Sequence, residues 1–260
     1  MRSARKPTSW TAFARSASRS SSTLSDPIHL RPTAPLAERV LLPGDPGRAL
    51  LLAQSLLAEP KMFNHHRGLW GYTGTATDGE PLTVQSTGMG GPSAAIVISE
   101  LADLGARRLV RVGTCGALAD SLALGDLLIA TEAIAGDGTS RALGAGKRVE
   151  PSLELLSAAQ AAAAGDGNVH LGAVATTDLF YDDRGDSERA WVAAGAVAVE
   201  MESATLFALA AKRALRAASI LIVTDVLFPA RTRIDFDGLR AAEHQLGDLA
   251  VRALPALVVD

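Results

Sequence analysis

The sequence has one cysteine, no long apolar run and no excess of basic residues among its 260 positions. The single cysteine, Cys115, excludes a disulfide framework within the chain and any metal cluster built on several cysteines, and it suits a reducing cytoplasm. No apolar stretch reaches the roughly 18 to 20 residues that span a bilayer, so no membrane partner is expected. The formal net charge of −3 gives no basic field for a nucleic-acid backbone, so nucleic acid is not an expected partner.

The length is that of one domain of ordinary size with a full hydrophobic core. Residues 1–26 differ in composition from the rest, because they are rich in arginine and serine and contain no acid before Asp26. We predict that this segment is a disordered extension, with a targeting peptide of similar composition as the alternative. Residues 27–260 are predicted to form one domain.

From Glu38 onward, short aliphatic runs alternate with longer helical patterns, which predicts an α/β sheet flanked by helices. Strands are predicted in "RVLLPG", "RRLVRVGT", "GDLLIATEAI", "NVHLGAVATT", "AVAVEM" and "ASILIVTDVL", and helices in "PGRALLLAQSLLA", "GPSAAIVISELADLG" and residues 151–164, 202–216 and 238–254. "LWGYTGTATDGEPLTVQST" predicts a hairpin with Asp78 and Gly79 in a type I′ turn. We therefore expect a single α/β domain with a central mixed, partly barrel-like sheet.

Two glycine-rich turns follow predicted strands, where open α/β sheets bind their ligands. "PGDPGR" at residues 43–48 sets Gly44 before a helix and Arg48 in its first turn, and backbone N–H groups with a forked cation suit a phosphate. A plain strand-to-helix turn with a surface arginine is the alternative. The second turn, "STGMGGPS" at residues 86–93, lets backbone approach a ligand closely, but Ser93 replaces the last glycine of a dinucleotide fingerprint.

Arg111 interrupts an otherwise apolar strand in "RLVRVGTCGAL", residues 108–118. A buried guanidinium needs an anionic partner, which is either a ligand or a structural carboxylate. Thr114 ends the strand with a hydroxyl that can donate to the same anion. Cys115 follows, but Ala117 breaks the nucleophile-elbow pattern, so a role in lining the site is favoured over a nucleophile.

Two acids end a predicted buried strand in "AVAVEMESATLFALA", residues 196–210. Glu200 and Glu202 can accept hydrogen bonds from sugar hydroxyls, and Met201 between them can pack on the sugar ring. An acid that merely complements a helix dipole is the alternative for either one. His65 and His66 are predicted to be structural, because neighbours on a strand face opposite ways and cannot share a metal ion, and no metal site is predicted.

The chain resembles the hexameric purine nucleoside and uridine phosphorylases, a group that includes archaeal-type methylthioadenosine phosphorylases. The similarity is carried by eight collinear motifs from about Pro27 to Val226: "PIHL", "VLLPGDPGRA", "HHRGLWGYTGT", "STGMGGPS", "RVGTCGAL", "TTDLFYDD", "VEMESATLFALA" and "LIVTDV". The resemblance implies phosphorolysis of purine nucleosides to free base and α-ribose-1-phosphate in nucleoside salvage. It implies a pentosyltransferase that needs no cofactor and uses inorganic phosphate as co-substrate.

The resemblance also implies roles for individual residues. Phosphate is expected at Gly44, Arg48, Arg111 and Thr114, together with Arg67 of a neighbouring subunit. The ribose is expected at Glu202, Met201 and nearby Glu200, with His29 of the neighbour at the 5′ end. The base is expected against Cys115, Gly116, Phe180, Thr224 and Asp225, with Asp225 as general acid. An aspartate that caps the following turn or pairs with a loop arginine is the alternative for Asp225. Sharing of sites implies a homodimer, and the family implies three dimers in a ring.

Several alternatives stay open at this level. Arg231, Arg233 and Arg240 are equal candidates to assist Asp225. The identity of the purine nucleoside is open, including its 5′-methylthio form. A uridine phosphorylase is disfavoured because Arg184 and Asp186 stand where a Gln-x-Arg uracil clamp is expected. A nucleosidase of the same fold is disfavoured by the set of arginines, and a non-catalytic nucleoside-binding protein by the complete catalytic set.

Overall fold

A computed structural model describes residues 27–182 and 186–255. The predicted extension at residues 1–26 and Arg184 lie outside the described residues. Within them the strands are β1 Arg39–Leu42, β2 Leu57–Asn64, β3 Gly71–Ala76, β4 Pro81–Gln85, β5 Arg108–Ala117, β6 Leu127–Ala135, β7 Arg148–Val149, β8 Val169–Thr176, β9 Ala196–Glu200, β10 Arg216–Val226 and β11 Thr232–Arg233. The helices are α1 Pro46–Leu56, α2 Gly91–Leu104, α3 Gly138–Ala142, α4 Leu153–Ala162, α5 Ser187–Ala193, α6 Ser203–Arg213 and α7 Phe236–Arg252, with a 3₁₀ turn at His66–Gly68.

The strands form one mixed sheet in which five strands close on themselves. The order is β11-β10-β6-β8-β9-β5-β1-β4-β3-β2, with β7 beside β6, and an additional β10–β5 pairing closes the ring of β10, β6, β8, β9 and β5. Strands β1, β5 and β10 run parallel, while β9 runs antiparallel to β5. The prediction of a single α/β domain with a mixed, partly barrel-like sheet is confirmed.

Helices cover both faces of the sheet because its strands are apolar on both sides. One core packs residues of α2 and α6, such as Leu101 and Phe207, against strand residues. The other packs residues of α1 and α7, such as Leu52 and Leu246, against the opposite side. Each fully buried side chain of this size contributes about 1.5–3 kcal/mol to the free energy of unfolding.

Helices α1 and α7 approach each other closely at Gly247. A Cβ atom at this position would lie 2.8 Å from Cδ2 of Leu52 and 3.2 Å from Cδ1 of Leu56. Glycine therefore lets the backbone of α7 lie against the leucines of α1 without a side chain between them. The close approach brings the first turns of α7 near the N-terminal end of α1.

The hairpin of β3 and β4 is confirmed, but its predicted type I′ turn is wrong. A type I′ turn needs positive φ at both central residues, whereas Gly79 has a φ of 85° and Asp78 is not among the positive-φ residues. Gly79 donates its N–H to the carbonyl of Ala76 over 2.9 Å, and Ala76 donates to the carbonyl of Glu80 over 2.8 Å. These bonds close a longer turn in which glycine supplies the only left-handed residue.

Candidate active site

One large cavity opens at the carboxyl ends of the parallel strands, at the edge where the sequence predicts the site. Its volume is about 670 Å³. It is lined by every predicted site residue except His29: Gly44, Arg48, Arg67, Arg111, Thr114, Cys115, Gly116, Phe180, Glu200, Met201, Glu202, Thr224 and Asp225. The fold therefore brings residues from six separate motifs to one place.

The turn between β1 and α1 forms one wall of the cavity. Asp45 caps α1 by accepting hydrogen bonds from the N–H groups of Gly47 at 3.0 Å and Arg48 at 3.2 Å. A Cβ atom on Gly44 would lie 3.2 Å from the carbonyl oxygen of Gly88, so the two glycine-rich turns are in contact. Arg48 is buried, and its Nε donates to Oε1 of Glu243 on α7 over 2.9 Å.

Arg111 lies between Glu200, the last residue of β9, and Glu202, which precedes α6. Its Nε donates to Oε2 of Glu200 over 3.0 Å, and its Nη2 lies 2.6 Å from Oε2 of Glu202. The side chain folds back over its own strand at Gly113, where a Cβ atom would lie 2.6 Å from the guanidinium carbon. The arginine therefore has structural carboxylate partners and also lines the cavity.

Glu200 fixes the junction between β9 and α6. Its carboxylate accepts hydrogen bonds from the N–H groups of Glu202 and Ser203 at 2.9 Å and from the hydroxyl of Thr176, in addition to Arg111. These N–H groups open α6 and have no partner within the helix, so the carboxylate acts as their cap. With four donors on two oxygens, Glu200 has little capacity left for a ligand.

The side chain of Glu202 is slightly more exposed than that of Glu200 and has fewer partners. It accepts a hydrogen bond from the N–H of Gly90 over 2.5 Å and pairs with Arg111. Burial raises the pKa of Glu202 above its ordinary value, although the nearby Arg111 opposes the shift. The carboxylate joins the second glycine-rich turn to the Arg111 strand, and Met201 lines the cavity beside it.

Asp225 lines the same cavity from near the end of β10. Its Oδ1 accepts from Nε of Arg231 over 2.9 Å and lies 3.3 Å from Nε of Arg233, and its Oδ2 accepts from the hydroxyl of Thr224 over 3.1 Å. A register shift between Val223 and Asp225 in the β10–β5 pairing turns both polar side chains toward the cavity. The guanidinium of Arg231 also lies 4.9 Å from the ring centre of Phe180.

Cys115 is buried, and its thiol contacts the backbone carbonyl oxygen of Ile222 at 3.6 Å. Burial raises the pKa of the Cys115 thiol, with a further contribution from the charge of Glu200. A thiol with a raised pKa carries little thiolate and is a poor nucleophile at neutral pH. The expected lining role of Cys115 is thus the chemically reasonable one.

Comparison with known proteins identifies the family of this fold and cavity. A sequence profile described as "Phosphorylase superfamily" matches residues 38–258. The chain belongs to the phosphorylase superfamily. This membership confirms the resemblance that the eight motifs carry.

Curated relatives of this phosphorylase-superfamily chain are named "Purine nucleoside phosphorylase DeoD-type". The relative from Clostridium perfringens is 40% identical over 199 residues, covering 75% of this chain and 84% of the relative. The relative from Caldanaerobacter subterraneus subsp. tengcongensis is 41% identical over 196 residues, covering 74% and 84%. The relative from Geobacillus kaustophilus is 41% identical over 197 residues, covering 74% and 83%.

The segment of His29 is in contact with the turn that carries Arg67 in this superfamily member. The 3₁₀ turn holds Arg67 at a positive φ of 59°, and the neighbouring His66 contacts the carbonyl oxygen of His29 through Nδ1 at 3.0 Å. Arg67 is exposed at the rim of the cavity in its own chain, whereas His29 does not line that cavity and contacts Glu100. Their assignment to a neighbour's cavity stays a prediction.

Sequence patterns in this phosphorylase-superfamily chain did not identify Glu243, a charged residue beside the site. They also left open which arginine pairs with Asp225. Glu243 on α7 contacts Arg48 across a separation of 195 residues, and no local pattern indicates that contact. Arg231 and Arg233 reach Asp225, while Arg240 is exposed and does not line the cavity. His65 and His66 lie at a 3₁₀ turn and not in mid-strand, which corrects the reason given for treating them as structural.

Two searches of the described residues bear on metals and membranes. Among residues 27–182 and 186–255, no group of three or more His, Cys, Asp or Glu side chains is placed to hold a metal ion. In the same residues, no helix combines the length and the apolar character that crossing a membrane requires.

Proposed function

We propose that this chain catalyses phosphorolysis of purine nucleosides, in which phosphate displaces the base to give free purine and α-ribose-1-phosphate. The observation that carries the proposal is that one cavity is lined by two buried arginines together with an acceptor carboxylate and a second buried carboxylate. These are Arg48 and Arg111, Glu202 and Asp225. The names of the curated relatives support the same reaction.

The phosphate is proposed to bind between Arg48 and Arg111. The pairing of Arg48 with Glu243 uses its Nε, which leaves the two terminal amino groups of the guanidinium for a ligand. Arg111 is oriented by Glu200, and Thr114 contributes a hydroxyl from the same strand. Gly44 lets the turn approach the ligand at the N-terminal end of α1, where the helix dipole favours an anion.

The ribose is proposed to lie between the phosphate and the base. Glu202 accepts hydrogen bonds from the sugar hydroxyls, and Met201 packs against the ring. Glu200 acts as a positioning residue, because its carboxylate orients Arg111 and caps α6. The base lies against Phe180, Cys115 and Gly116, with Thr224 and Asp225 at its edge.

Catalysis in this arrangement comes from positioning and electrostatics. Phosphate is held on one side of the anomeric carbon while the glycosidic bond lengthens through an oxocarbenium-like state. Fixing the two reactants in attack geometry can lower the barrier by about 7–11 kcal/mol. The proposed reaction uses inorganic phosphate as its co-substrate and involves no cofactor.

A cytoplasmic location stays a prediction from the single cysteine.

The assay that tests this function measures base release from inosine, adenosine, methylthioadenosine and uridine, each with and without inorganic phosphate. We expect phosphate-dependent release from a purine nucleoside, with ribose-1-phosphate as the second product. Release without phosphate would indicate a nucleosidase, and release from uridine alone a uridine phosphorylase. Binding without release would indicate a nucleoside-binding protein.

Replacing Gly113 by alanine should weaken phosphate binding without changing any charge. The new methyl group would lie 2.6 Å from both Cζ and Nη2 of Arg111, so the guanidinium must shift from the position in which it pairs with Glu200. We expect KM for phosphate to rise by about 10- to 100-fold, because small displacements of a ligand-positioning group carry losses of this size. Gly167→Ala is the control, since no atom lies within 4 Å of its new Cβ. Equal kinetics for both variants would contradict the proposed role of Arg111.

The raised pKa of Glu202 should appear in the pH dependence of nucleoside binding. Ionised Glu202 accepts the sugar hydroxyls, so KM for the nucleoside should rise as the pH falls through a pKa above the ordinary 4.5. The folded chain holds this proton more tightly than the unfolded chain. The contribution of Glu202 to the free energy of unfolding is therefore greatest below 4.5 and declines as the pH rises through the raised pKa.

Glu202→Gln should remove the rise in nucleoside KM at low pH, the acid limb of the pH profile. It should also raise KM for the nucleoside at all pH values. Glu154→Gln is the control, because Glu154 pairs with Arg216 on the exposed surface. Steady-state kinetics across the acidic range give both profiles. An unchanged acid limb in Glu202→Gln would assign the limb to another group.

We propose a dimer with shared sites, in which His29 and Arg67 of one subunit reach the pocket of the other. Co-expressed Arg67→Ala and Asp225→Asn subunits should regain activity, because one pocket of each hybrid dimer then combines a wild-type Asp225 with a wild-type Arg67. We expect about half the wild-type activity per hybrid dimer isolated through two different tags, since one of two symmetric pockets is intact. Homodimers of either variant are the controls. Inactive hybrids would argue against sharing.

A further inference from the structure

We propose that Glu243 is a positioning residue for the phosphate nucleophile, acting through Arg48; this inference rests on the proposed function. Glu243 does not line the cavity, whereas Arg48 does. Among the described residues of α7, Glu243 is the charged residue that is buried. It therefore reaches the proposed phosphate site only through Arg48.

The contact is specific in its geometry. Nε of Arg48 donates to Oε1 of Glu243 over 2.9 Å, and each side chain is 9% exposed. Arg48 could otherwise rotate about its long side chain and point its charge in several directions. One bond to Nε fixes the plane of the guanidinium and leaves its two terminal amino groups for the cavity.

The packing of α1 against α7 holds the pair in place. Leu52 follows Arg48 by four positions on α1, and Gly247 follows Glu243 by four positions on α7, so each pair shares one helix face. A Cβ atom at Gly247 would lie 2.8 Å from Leu52, which shows how closely the helices meet at this level. The ion pair therefore stands one turn away from the tightest contact between the two helices.

A carboxylate at this position is unfavourable for anion binding and adds little stability, whereas an apolar residue in its place would avoid both disadvantages. It reduces the positive charge beside an anion site, and a buried ion pair is often no more stabilising than an apolar pair of similar volume. The carboxylate of Glu243 offsets these disadvantages by orienting Arg48 toward the phosphate. Glu243 therefore acts on the nucleophile, through the direction of the Arg48 guanidinium.

The test compares three substitutions of Glu243 in the full-length chain. Glu243→Ala removes the acceptor, and we expect KM for phosphate to rise by about 10- to 100-fold with KM for the nucleoside unchanged within about twofold. Glu243→Gln keeps an oxygen that accepts from Nε, and we expect its KM for phosphate to stay within about threefold of wild type. Glu243→Asp shortens the side chain, and we expect an intermediate rise.

A matched control lies two residues further along the same helix. Gln245 exchanges two hydrogen bonds of 2.8 Å with Asn168 and does not line the cavity. Gln245→Ala removes a polar anchor of α7 without touching Arg48, and we expect wild-type KM for phosphate. A rise equal to that of Glu243→Ala would show that any weakening of α7 has the same effect, which would overturn the proposal.

The second measurement is a double-mutant cycle with direct binding of radiolabelled inorganic phosphate. In the Arg48→Ala background, Glu243→Ala should cause no further loss of phosphate affinity, because the residue through which Glu243 acts is already gone. Additive losses, or equal losses in Glu243→Ala and Glu243→Gln, would overturn the proposal. Should the alanine variant not fold, wild-type phosphate binding by Glu243→Asp would overturn it equally.

Failure of this inference is distinguishable from failure of the proposed function. If wild-type base release does not depend on phosphate, the proposed phosphorolysis is wrong whatever Glu243 does. If wild-type release depends on phosphate and all Glu243 variants keep wild-type phosphate affinity, only the role of Glu243 is wrong.

Discussion

Replacing Arg111 by alanine should abolish most of the phosphate-dependent activity, with an expected loss in kcat/KM for phosphate of about 10³-fold. Arg111 is buried at the cavity wall and pairs with both Glu200 and Glu202. Its removal takes away a cation at the proposed phosphate site and also the group that orients the proposed ribose acceptor. Kinetics with phosphate and nucleoside varied independently will resolve the two effects.

The same substitution should destabilise the fold. Without Arg111, two carboxylates remain buried with no cation between them, and breaking a buried ion pair from one side typically costs about 3–5 kcal/mol. Arg216→Ala is the control, because it breaks an exposed pair with Glu154 that is worth about 0–1 kcal/mol. Urea denaturation of both variants measures the difference in the free energy of unfolding.

Arg111→Lys separates the catalytic role from the structural one. Lysine keeps the positive charge between the glutamates, so most of the stability should return, but it lacks the fork that reaches two acceptors and a ligand together. We therefore expect a stable variant that still binds phosphate weakly. A lysine or alanine variant with wild-type phosphate dependence would make Arg111 a structural ion-pair residue only.

The central strands could be predicted from sequence because their aliphatic residues favour a strand locally and are also buried in the folded sheet. The buried runs that form β1, β5 and β10 are rich in aliphatic residues, and the glycine-rich turn "PGDPGR" follows β1 directly. Strand β2 could not be predicted in the same way. Its sequence "LAEPKMFN" is polar and contains Pro60, and its first residue continues the apolar pattern of α1. Its pairing with β3 comes from the tertiary fold.

The site residues on the strand ends could be predicted because each carries an unusual polar group in an apolar setting. The arginines around Asp225 could not be ranked, because β11 is only two residues long and has no sequence pattern. In the structure, Arg233 is the cross-strand partner of Asp225, and Arg231 reaches the same carboxylate. Arg240 lies on α7 and is exposed. Topology, not local sequence, makes this distinction.

Asp225→Asn should lower the rate of phosphorolysis of inosine by about 10² to 10⁴-fold, the range expected for loss of a general acid. A departing purine accumulates negative charge that a proton at N7 relieves, and Asp225 lines the cavity in which the base is proposed to bind. Asparagine has the same shape and keeps hydrogen-bonding atoms, but it cannot supply the proton. The loss should therefore appear in kcat with little change in KM for phosphate.

The substrate 7-methylguanosine isolates this role, because its N7 is already cationic and needs no proton. We expect Asp225→Asn to keep near-wild-type turnover of 7-methylguanosine while losing inosine. Equal losses on the two substrates would assign Asp225 to binding or folding instead of proton donation. Full activity on inosine would remove Asp225 from the mechanism.

The arginines at Asp225 provide the matched series for this prediction. After proton transfer Asp225 is a carboxylate, and a guanidinium within hydrogen-bonding distance stabilises that charge. Arg231 donates to Oδ1 over 2.9 Å, and Arg233 lies 3.3 Å from the same oxygen and is 70% exposed. We expect Arg231→Ala to lower inosine turnover by about tenfold, Arg233→Ala to lower it less, and Arg240→Ala to leave it unchanged. The same ranking should vanish with 7-methylguanosine, because no proton leaves Asp225 in that reaction. A ranking that persists with 7-methylguanosine would mean that the arginines act by holding the base or the Phe180 ring, and not through Asp225.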